Sequence, residues 1–416
     1  MGGKMERMIS GTDVSALAAQ AVSRCRTLAA HTQVAGETTR LFLSPPMRAV
    51  HADVTAWMTA AGMTVRVDPA GNIRGLIGAA GAPRLVIASH LDTVPNAGAF
   101  DGILGVMLGI AVVESVGVLP LAIEVIGFSE EEGVRFRKPF LGSMAVTGQL
   151  EEHLDLTDSD GISVAEALSG FGLDPARLEE ARLSPRTMGY LEFHIEQGPV
   201  LESLDLPLAV VSALVGQSRM EFVFKGHANH AGTTPMHLRH DALTAAAEWV
   251  LAVERTARET DGLVATVGKI EAQPGAGNVI PARVSVSLDL RHADDAVRVA
   301  SVAALVRAAE AAGGSRNVGV AYKLLVEQPA VALDPRLTAG LADAAGVLGT
   351  AITTLTSGAG HDAMILAPCV PSAMLFLRSP GGISHHPEEN VLTPDVEAAL
   401  AVGVEFVRAL ALPTLR

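Results

Sequence analysis

Two apolar runs, LVIAS at 85–89 and LAIEVIGF at 121–128, bracket a third apolar stretch at 102–116, and this arrangement limits the fold more than any other feature. An apolar run without polar alternation suits a strand covered on both faces, the condition of a parallel sheet. Strand, helix, strand in that order is a βαβ unit. YLEFHI at 190–195 and AMLFL at 373–377 read as further core strands. Helices are predicted over 14–30 and 47–62, and short strands over 63–68 and 72–77 around the turn Pro69-Ala70-Gly71. The expectation is a large α/β domain with a mostly parallel sheet.

The pattern changes between 214 and 329. A strand at 219–225, a helix at 240–258, strands at 263–271 and 283–290, a helix at 294–312 and a strand at 318–326 follow one another. That order, βαββαβ, belongs to a small ferredoxin-like α+β sandwich. Its first helix places Leu243, Ala247, Val250, Leu251 and Glu254 three or four apart, the face expected to make it amphipathic. The predicted organisation is a discontinuous domain, 1–213 and 330–416, interrupted by an inserted domain at 214–329.

Hydrophobic residues make up 49% of the 416 residues, which raises the question of a membrane protein. Run length answers it, because a spanning helix needs about 20 apolar residues. The stretch from Gly102 to Val113 ends at Glu114, and Ala363 to Leu377 is broken by Pro368 and Pro371. Lys4 and Arg7 are followed by Asp13 and Arg24 rather than by an apolar core, so no secretory leader is expected. Two cysteines, Cys25 and Cys369, make no disulfide framework. A net charge of −14 argues against nucleic acid or an anionic membrane as partner. A cytoplasmic protein is expected.

The chemistry lies in clusters of histidine and carboxylate at the ends of the predicted core strands. In ASHLDTVPNAGAFDG (88–102), His90 and Asp92 lie two apart after a buried strand. His90 suits a metal, with Asp92 holding its other ring nitrogen. Asp101 precedes the next helix, where it either caps the helix or bridges two cations. GFSEEEGVRF (127–136) places Glu130, Glu131 and Glu132 at a strand's carboxyl end. Adjacent carboxylates raise one another's pKa unless a cation neutralises them. His194 and Glu196 alternate at the end of the strand in LEFHIEQGPVLE, and His385 and His386 sit in GGISHHPEEN (381–390). Together these suggest two His/carboxylate-bound metals of the Zn, Mn or Co type. The inserted segment adds His227, Asn229 and His230 in GHANHAGTTPM, then Asn278 and, at a strand end, Arg291. Arg with Asn makes a carboxylate clamp; taken alone, Arg291 reads better as an ion-pair partner of Asp289, Asp294 or Asp295.

From TRLFLSPPM (39–47) to GISHHPEE (382–389) the chain resembles the amidase/hydantoinase/carbamoylase family of dinuclear metal hydrolases. Its members include N-carbamoyl-L-amino acid hydrolases, β-ureidopropionases and allantoate amidohydrolases, and it is related to aminoacylases and dimeric metallo-exopeptidases. HIEQGPVLE, ANHAGTTPM and SGAGHDAM (357–364) carry the group-specific part of the match. The resemblance implies that His90 and His194 hold one divalent metal, that Glu132 and His385 hold the other, and that Asp101 bridges them. Zn is the expected metal, with Mn, Co or Ni as alternatives. It implies Glu131 as general base, Asp92 as the group that orients His90, and His230 as oxyanion stabiliser from its own or a partner subunit. Gln197, Asn278 and Arg291 become contacts to a small carboxylate substrate, and His361 and Asp362 line the site. The inserted domain becomes a lid that also makes a homodimer.

The implied reaction is hydrolysis of the carbamoyl C–N bond of a substrate such as an N-carbamoyl-L-amino acid by a hydroxide held between the metals, releasing ammonia, carbon dioxide and the amino acid. The alternatives are an allantoate amidohydrolase, a β-ureidopropionase, or a deacylase that cleaves an N-acyl bond. A non-catalytic binder on the same scaffold has no need of Glu131, and a structural metalloprotein predicts cysteine ligands that are absent from the clusters. Departures from the family pattern are Glu130, Ala282, Arg378 and His386; Arg378 and His386 are expected on the substrate side.

Overall fold

In the computed structural model, residues 13–412 are described. The first residues, on which the leader reading partly rests, lie outside that range. The strands in chain order are β1 (Thr64–Val67), β2 (Ile73–Ile77), β3 (Arg84–His90), β4 (Ala122–Phe128), β5 (Thr187–Ile195), β6 (Leu208–Leu214), β7 (Gly216–Lys225), β8 (Val264–Thr266), β9 (Ile270–Gln273), β10 (Arg283–His292), β11 (Gly319–Gln328), β12 (Val331–Ala332), β13 (Ile352–Ser357) and β14 (Ser372–Leu377). The chain divides into two compact units, one running to Ser212 and resuming at Leu333, the other Ala213–Ala332.

The first unit is built on a sheet ordered β1-β2-β4-β3-β5-β14-β6. Its central strands, β4, β3, β5 and β14, run parallel, and antiparallel pairings flank them on both sides. β3 and β4 are buried almost throughout, as their unbroken apolar runs require. The connecting helix Ile103–Val116 is apolar on every side and buried all round, with Glu114 alone partly exposed and paired with Arg24 at 2.8 Å. Each of its Val, Leu and Ile side chains contributes about 1.5–3 kcal/mol of burial. Gly105 lets it dock, since a Cβ there would meet the Phe193 carbonyl. The helix Thr393–Leu410 covers the same layer, and Gly403 clears the Phe193 ring.

The second unit is a five-stranded antiparallel sheet ordered β11-β7-β10-β8, with β9 also on β10. The βαββαβ order holds, but the strand expected at 263–271 is two, β8 and β9, that pair with successive parts of β10. The helix Ala242–Glu259 buries Ala242, Ala245, Ala246, Trp249, Ala252 and Val253. This corrects the expected face: Leu243 and Leu251 are exposed, at 38% and 64%. Trp249 decides the rotation. Its ring packs on Phe222 and its Nε1–H donates to the Leu305 carbonyl at 2.8 Å, while the alanines allow close approach. No helix among the described residues is long and apolar enough to cross a membrane.

Candidate metal centre

Parallel strands end on the same edge, so β3, β4, β5 and β14 deliver their following loops to one place. β3 ends at His90, which pairs in register with Phe128 at the end of β4. The acidic loop Ser129–Glu132 follows β4. His194 sits near the end of β5 opposite Phe376 of β14, and His385 lies in the loop after β14. The four clusters converge for that topological reason.

Two His/carboxylate groups consist wholly of expected ligands, His90, Asp101 and His194, and Asp101, Glu132 and His385, and a third, His90, Glu131 and Glu132, includes the expected base. Within each, one ligand atom per residue lies within 4.8 Å of the others. The first two share Asp101. Its Oδ1 lies 3.4 Å from His194 Nε2 and its Oδ2 lies 3.2 Å from His385 Nε2, so the two oxygens face different histidines. Glu132 Oε2 is 3.7 Å from the same His385 nitrogen. Asp101 does not cap the helix with its side chain; Gly102 holds the cap position at φ 72°. A Cβ on Gly102 would strike the His90 ring.

The histidine tautomers follow from their partners. His194 Nδ1 sits 2.9 Å from the Ile195 carbonyl, and His90 Nδ1 sits 3.1 Å from the Asp92 carbonyl and 3.3 Å from its Oδ1. A carbonyl only accepts, so Nδ1 carries the proton and Nε2 is left as the ligand atom. Asp92 does more than orient His90. It also accepts the N–H of Glu131 at 2.9 Å and of Glu132 at 3.3 Å, and so ties the acidic loop to the His90 loop.

Electrostatics fit a cation. Burial pushes Glu131 well above the carboxylate range, with Glu132, Asp362 and Asp92 adding to it against the opposing pull of His90. Burial and the Asp101 charge push Glu132 up to about 8. The hydrogen bond that His385 donates to Asp101 is the main cause that raises His385 to about 9, while burial lowers His194 to about 4. Burial opposes the charge on His90, yet Asp92, Glu131 and Glu132 outweigh it and hold His90 well above its ordinary value. His194 Nε2 and Glu132 Oε1 are buried and make no hydrogen bond among the described residues. Buried polar atoms without partners are rare. Inward-facing imidazole nitrogens, shared carboxylates and these two orphaned atoms form a donor set suited to two divalent ions.

The site opens beside His385, whose side chain is 49% exposed, whereas His90, Asp101 and His194 are buried. Gln197 lies at this mouth and donates from Nε2 to both Asp101 oxygens at 3.0 Å and to Ser384 Oγ at 3.2 Å. Gln197 and His385 both take left-handed backbone, φ 58° and 56°, the kind of strain that collects at functional sites. His361 is buried against the His194 ring at 4.2 Å between centroids, and burial holds it neutral, well below its ordinary value. Asp362 is buried beside it and raised by burial and by Glu192.

Sequence reading passes over several residues here. Glu192, on the same face of β5 as His194, accepts from Tyr190 Oη at 2.9 Å and from the Ala363 N–H at 2.9 Å. Its spacing of two from His194 is the signal. Arg40, fully buried, donates from Nε to the Leu91 carbonyl at 2.8 Å, within the His90–Asp92 loop. Glu130, singled out in the sequence as one of three adjacent carboxylates and a departure from the family pattern, accepts from the Gly133 and Leu141 N–H groups and folds the acidic loop back. The expectation for Arg378 is corrected. Its guanidinium is committed to Asp395 at 2.8 Å and Asp205 at 3.0 Å, an ion-pair cluster that serves the fold. His386 is exposed and accepts the Glu388 N–H at 3.2 Å.

His230, Asn278 and Arg291 belong to the second unit. Residues His230 and Val279 form a bridge, and the Ala231 N–H donates to the Asn278 carbonyl at 2.9 Å, so these two loops run together. His230 Nδ1 accepts the N–H groups of Gly232 at 3.0 Å and Thr233 at 3.2 Å, which leaves the ring proton on Nε2 as a donor. Arg291, on β10, pairs with Asp289 at 2.8 Å, one of the ion pairs its sequence context suggests.

Residues 86–412 match peptidase family M20/M25/M40. The chain is 41% identical over 383 residues to an N-carbamoyl-L-amino acid amidohydrolase of Geobacillus stearothermophilus, covering 90% of this chain and 93% of that one. It is 40% identical over 413 residues to a probable allantoate deiminase of Oryza sativa subsp. japonica, covering 89% and 84%. Among solved structures, an amidase of the hydantoinase/carbamoylase family from Burkholderia multivorans superposes with a TM-score of 0.89 at 32% identity, covering 95% and 98%.

Proposed function

This chain belongs to peptidase family M20/M25/M40, and we propose that within it the chain is a metal-dependent amidohydrolase that cleaves the ureido C–N bond of a small carboxylate such as an N-carbamoyl-L-amino acid. The observation that carries this reading is Asp101, whose two oxygens face the histidines of two different triads. Hydrolases with such relatives, 40–41% identical across most of the chain, support the ureido class.

His90 and His194 would hold one divalent cation, Glu132 and His385 the other, with Asp101 between them. When bound, such a pair supplies Lewis acidity to a carbonyl oxygen and lowers the pKa of water. Zn is the ion the donor set favours. Glu131 is the general base: its carboxylate is buried, lies beside the ligands and has a raised proton affinity. It takes the proton of the attacking water and returns it to the leaving nitrogen. Asp92 holds His90 and the backbone of Glu131 and Glu132 in register. Burial of the centre excludes bulk water and strengthens these contacts. Gln197, at the mouth, is assigned a substrate contact, and His361 backs the site through His194. The roles proposed for His230, as donor to the developing oxyanion through its Nε2–H, and for Asn278 and Arg291, as contacts to the substrate carboxylate, rest on the family resemblance.

The second unit is also the proposed dimer surface. Its edge strand β11 exposes Tyr322, Leu324 and Leu325 at 51%, 48% and 54%. An apolar edge of this kind invites pairing with another chain.

The test is release of ammonia from N-carbamoyl-α-amino acids, 3-ureidopropionate and allantoate, beside acid release from N-acyl amino acids, after chelation and reloading with Zn, Mn or Co. Ammonia from an N-carbamoyl-L-amino acid is expected. Acid release from an N-acyl compound with no ammonia from any ureido compound would replace this reading with a deacylase.

A further inference from the structure

We propose that Glu389 is a positioning residue whose buried carboxylate ties the loop bearing Asp101 to the loop bearing His385, and so sets how the two cation triads share Asp101. The inference rests on the two-cation reading above.

Glu389 is 5% exposed, and it joins segments nearly 300 residues apart in sequence. Its Oε1 accepts the N–H of Phe100 at 2.9 Å and of Asp101 at 3.1 Å. Its Oε2 lies 3.2 Å from Ser384 Oγ, which is itself 3.3 Å from Asp101 Oδ2. The carboxylate thus holds the Asp101 backbone directly and reaches the Asp101 side chain through one hydroxyl. Ser384 adjoins His385, so the same clamp fixes the position of that strained residue. The Glu389 N–H donates to the His386 carbonyl at 3.0 Å, which closes the turn on which the carboxylate sits. Space has been kept for it: a Cβ on Gly98 would run into the Glu389 side chain.

None of the proposed ligand atoms belongs to Glu389, and its oxygens are directed at protein donors. A short side chain such as Asp101 has little reach of its own, so where its two oxygens lie is decided by where its backbone is held. Oxygens that must serve two ions at once tolerate little displacement. Groups that orient metal ligands in this way change affinity by about 10–100-fold when removed.

The test counts metal in the full-length protein, chelated, titrated with Zn or Mn alone and separated from free ion. Wild type is expected to take up two ions. Glu389→Ala should weaken the second ion by about 10–100-fold. Glu389→Gln keeps an acceptor for the two N–H groups and a partner for Ser384, so it should bind both ions as wild type does. Ser384→Ala removes only the arm to the His385 loop and should weaken the second ion while sparing the first; it carries the test if Glu389→Ala does not fold by far-UV circular dichroism. Wild-type affinities for both ions in Glu389→Ala or Ser384→Ala, or a Gln variant as weak as the Ala one, would overturn the proposal. Fewer than two ions on wild type would instead overturn the reading beneath it.

Discussion

Asp101 and Glu131 sit at the same centre with opposite proton affinities. Asp101 is held far below the usual carboxylate range: burial opposes this, but the His385 hydrogen bond and the charges of His194 and His90 outweigh it. Glu131 is raised by burial among like charges. That division fits the proposed roles of Asp101 as shared ligand and Glu131 as base. Glu131→Gln should therefore retain its full metal content and lose at least about 100-fold in kcat, measured by ammonia release beside metal analysis. The same residues set the pH behaviour. A cation needs Glu132 and His385 deprotonated, and these are raised to about 8 and about 9. Loading should release protons, and apparent metal affinity should fall as pH is lowered through that window. The metal-free protein behaves in the opposite sense. Both groups have folded pKa values above their unfolded ones, so their contribution is complete below the unfolded values and is lost progressively as pH rises from those values to about 8 for Glu132 and about 9 for His385. Melting temperatures with chelator should drop across that range while the stabilisation by added Zn grows.

At the scale of elements, the site exists because four parallel strands end on one edge and a fully buried helix starts there. The helix start is tight. Gly102→Ala would meet the His90 ring and also demand a positive φ from a residue with a Cβ, so it should abolish binding at the His90–His194 triad even where the fold survives, as read by metal content and circular dichroism. Much of this was legible in sequence. The runs at 85–89, 121–128, 190–195 and 373–377 are strands because burial on both faces removes polar residues from them. Histidines and carboxylates directly after such runs stand out for the same reason. Other features leave a weaker trace. The helix Ala242–Glu259 carries apolar residues on two faces, and only the tertiary partner of Trp249 decides which is buried. The break between β8 and β9 depends on where β10 offers partners. Glu389 is one of two adjacent glutamates in a loop, and its role depends on a contact with the distant residues Phe100 and Asp101 that no local pattern announces. Arg378 is expected near the substrate side, and its pairing with Asp395 and Asp205 depends on distant residues that no local pattern announces.

For the molecule as a whole, the chain folds as two units, with the metal-ligand candidates in the first and His230, Asn278 and Arg291 in the second. If β11 pairs two copies, light scattering should give twice the mass of the 416-residue chain, and Leu324→Glu with Tyr322→Glu should give the monomer with metal content preserved. A monomeric wild type would remove the dimer from the account. Arg291→Lys should raise KM for a carboxylate substrate by about tenfold or more with metal content unchanged, since a bidentate contact becomes a point charge. The central claim is that a cation pair centred on Asp101 drives ureido hydrolysis. The most direct measurement is ammonia release from an N-carbamoyl-L-amino acid by protein stripped with chelator and titrated back with Zn or Mn, for wild type and Asp101→Asn together. The account predicts that wild-type activity is lost on stripping and returns as two ions bind per chain, while Asp101→Asn stays inactive and cannot fill both sites. Full ammonia release from the stripped wild type, or from Asp101→Asn, would contradict it.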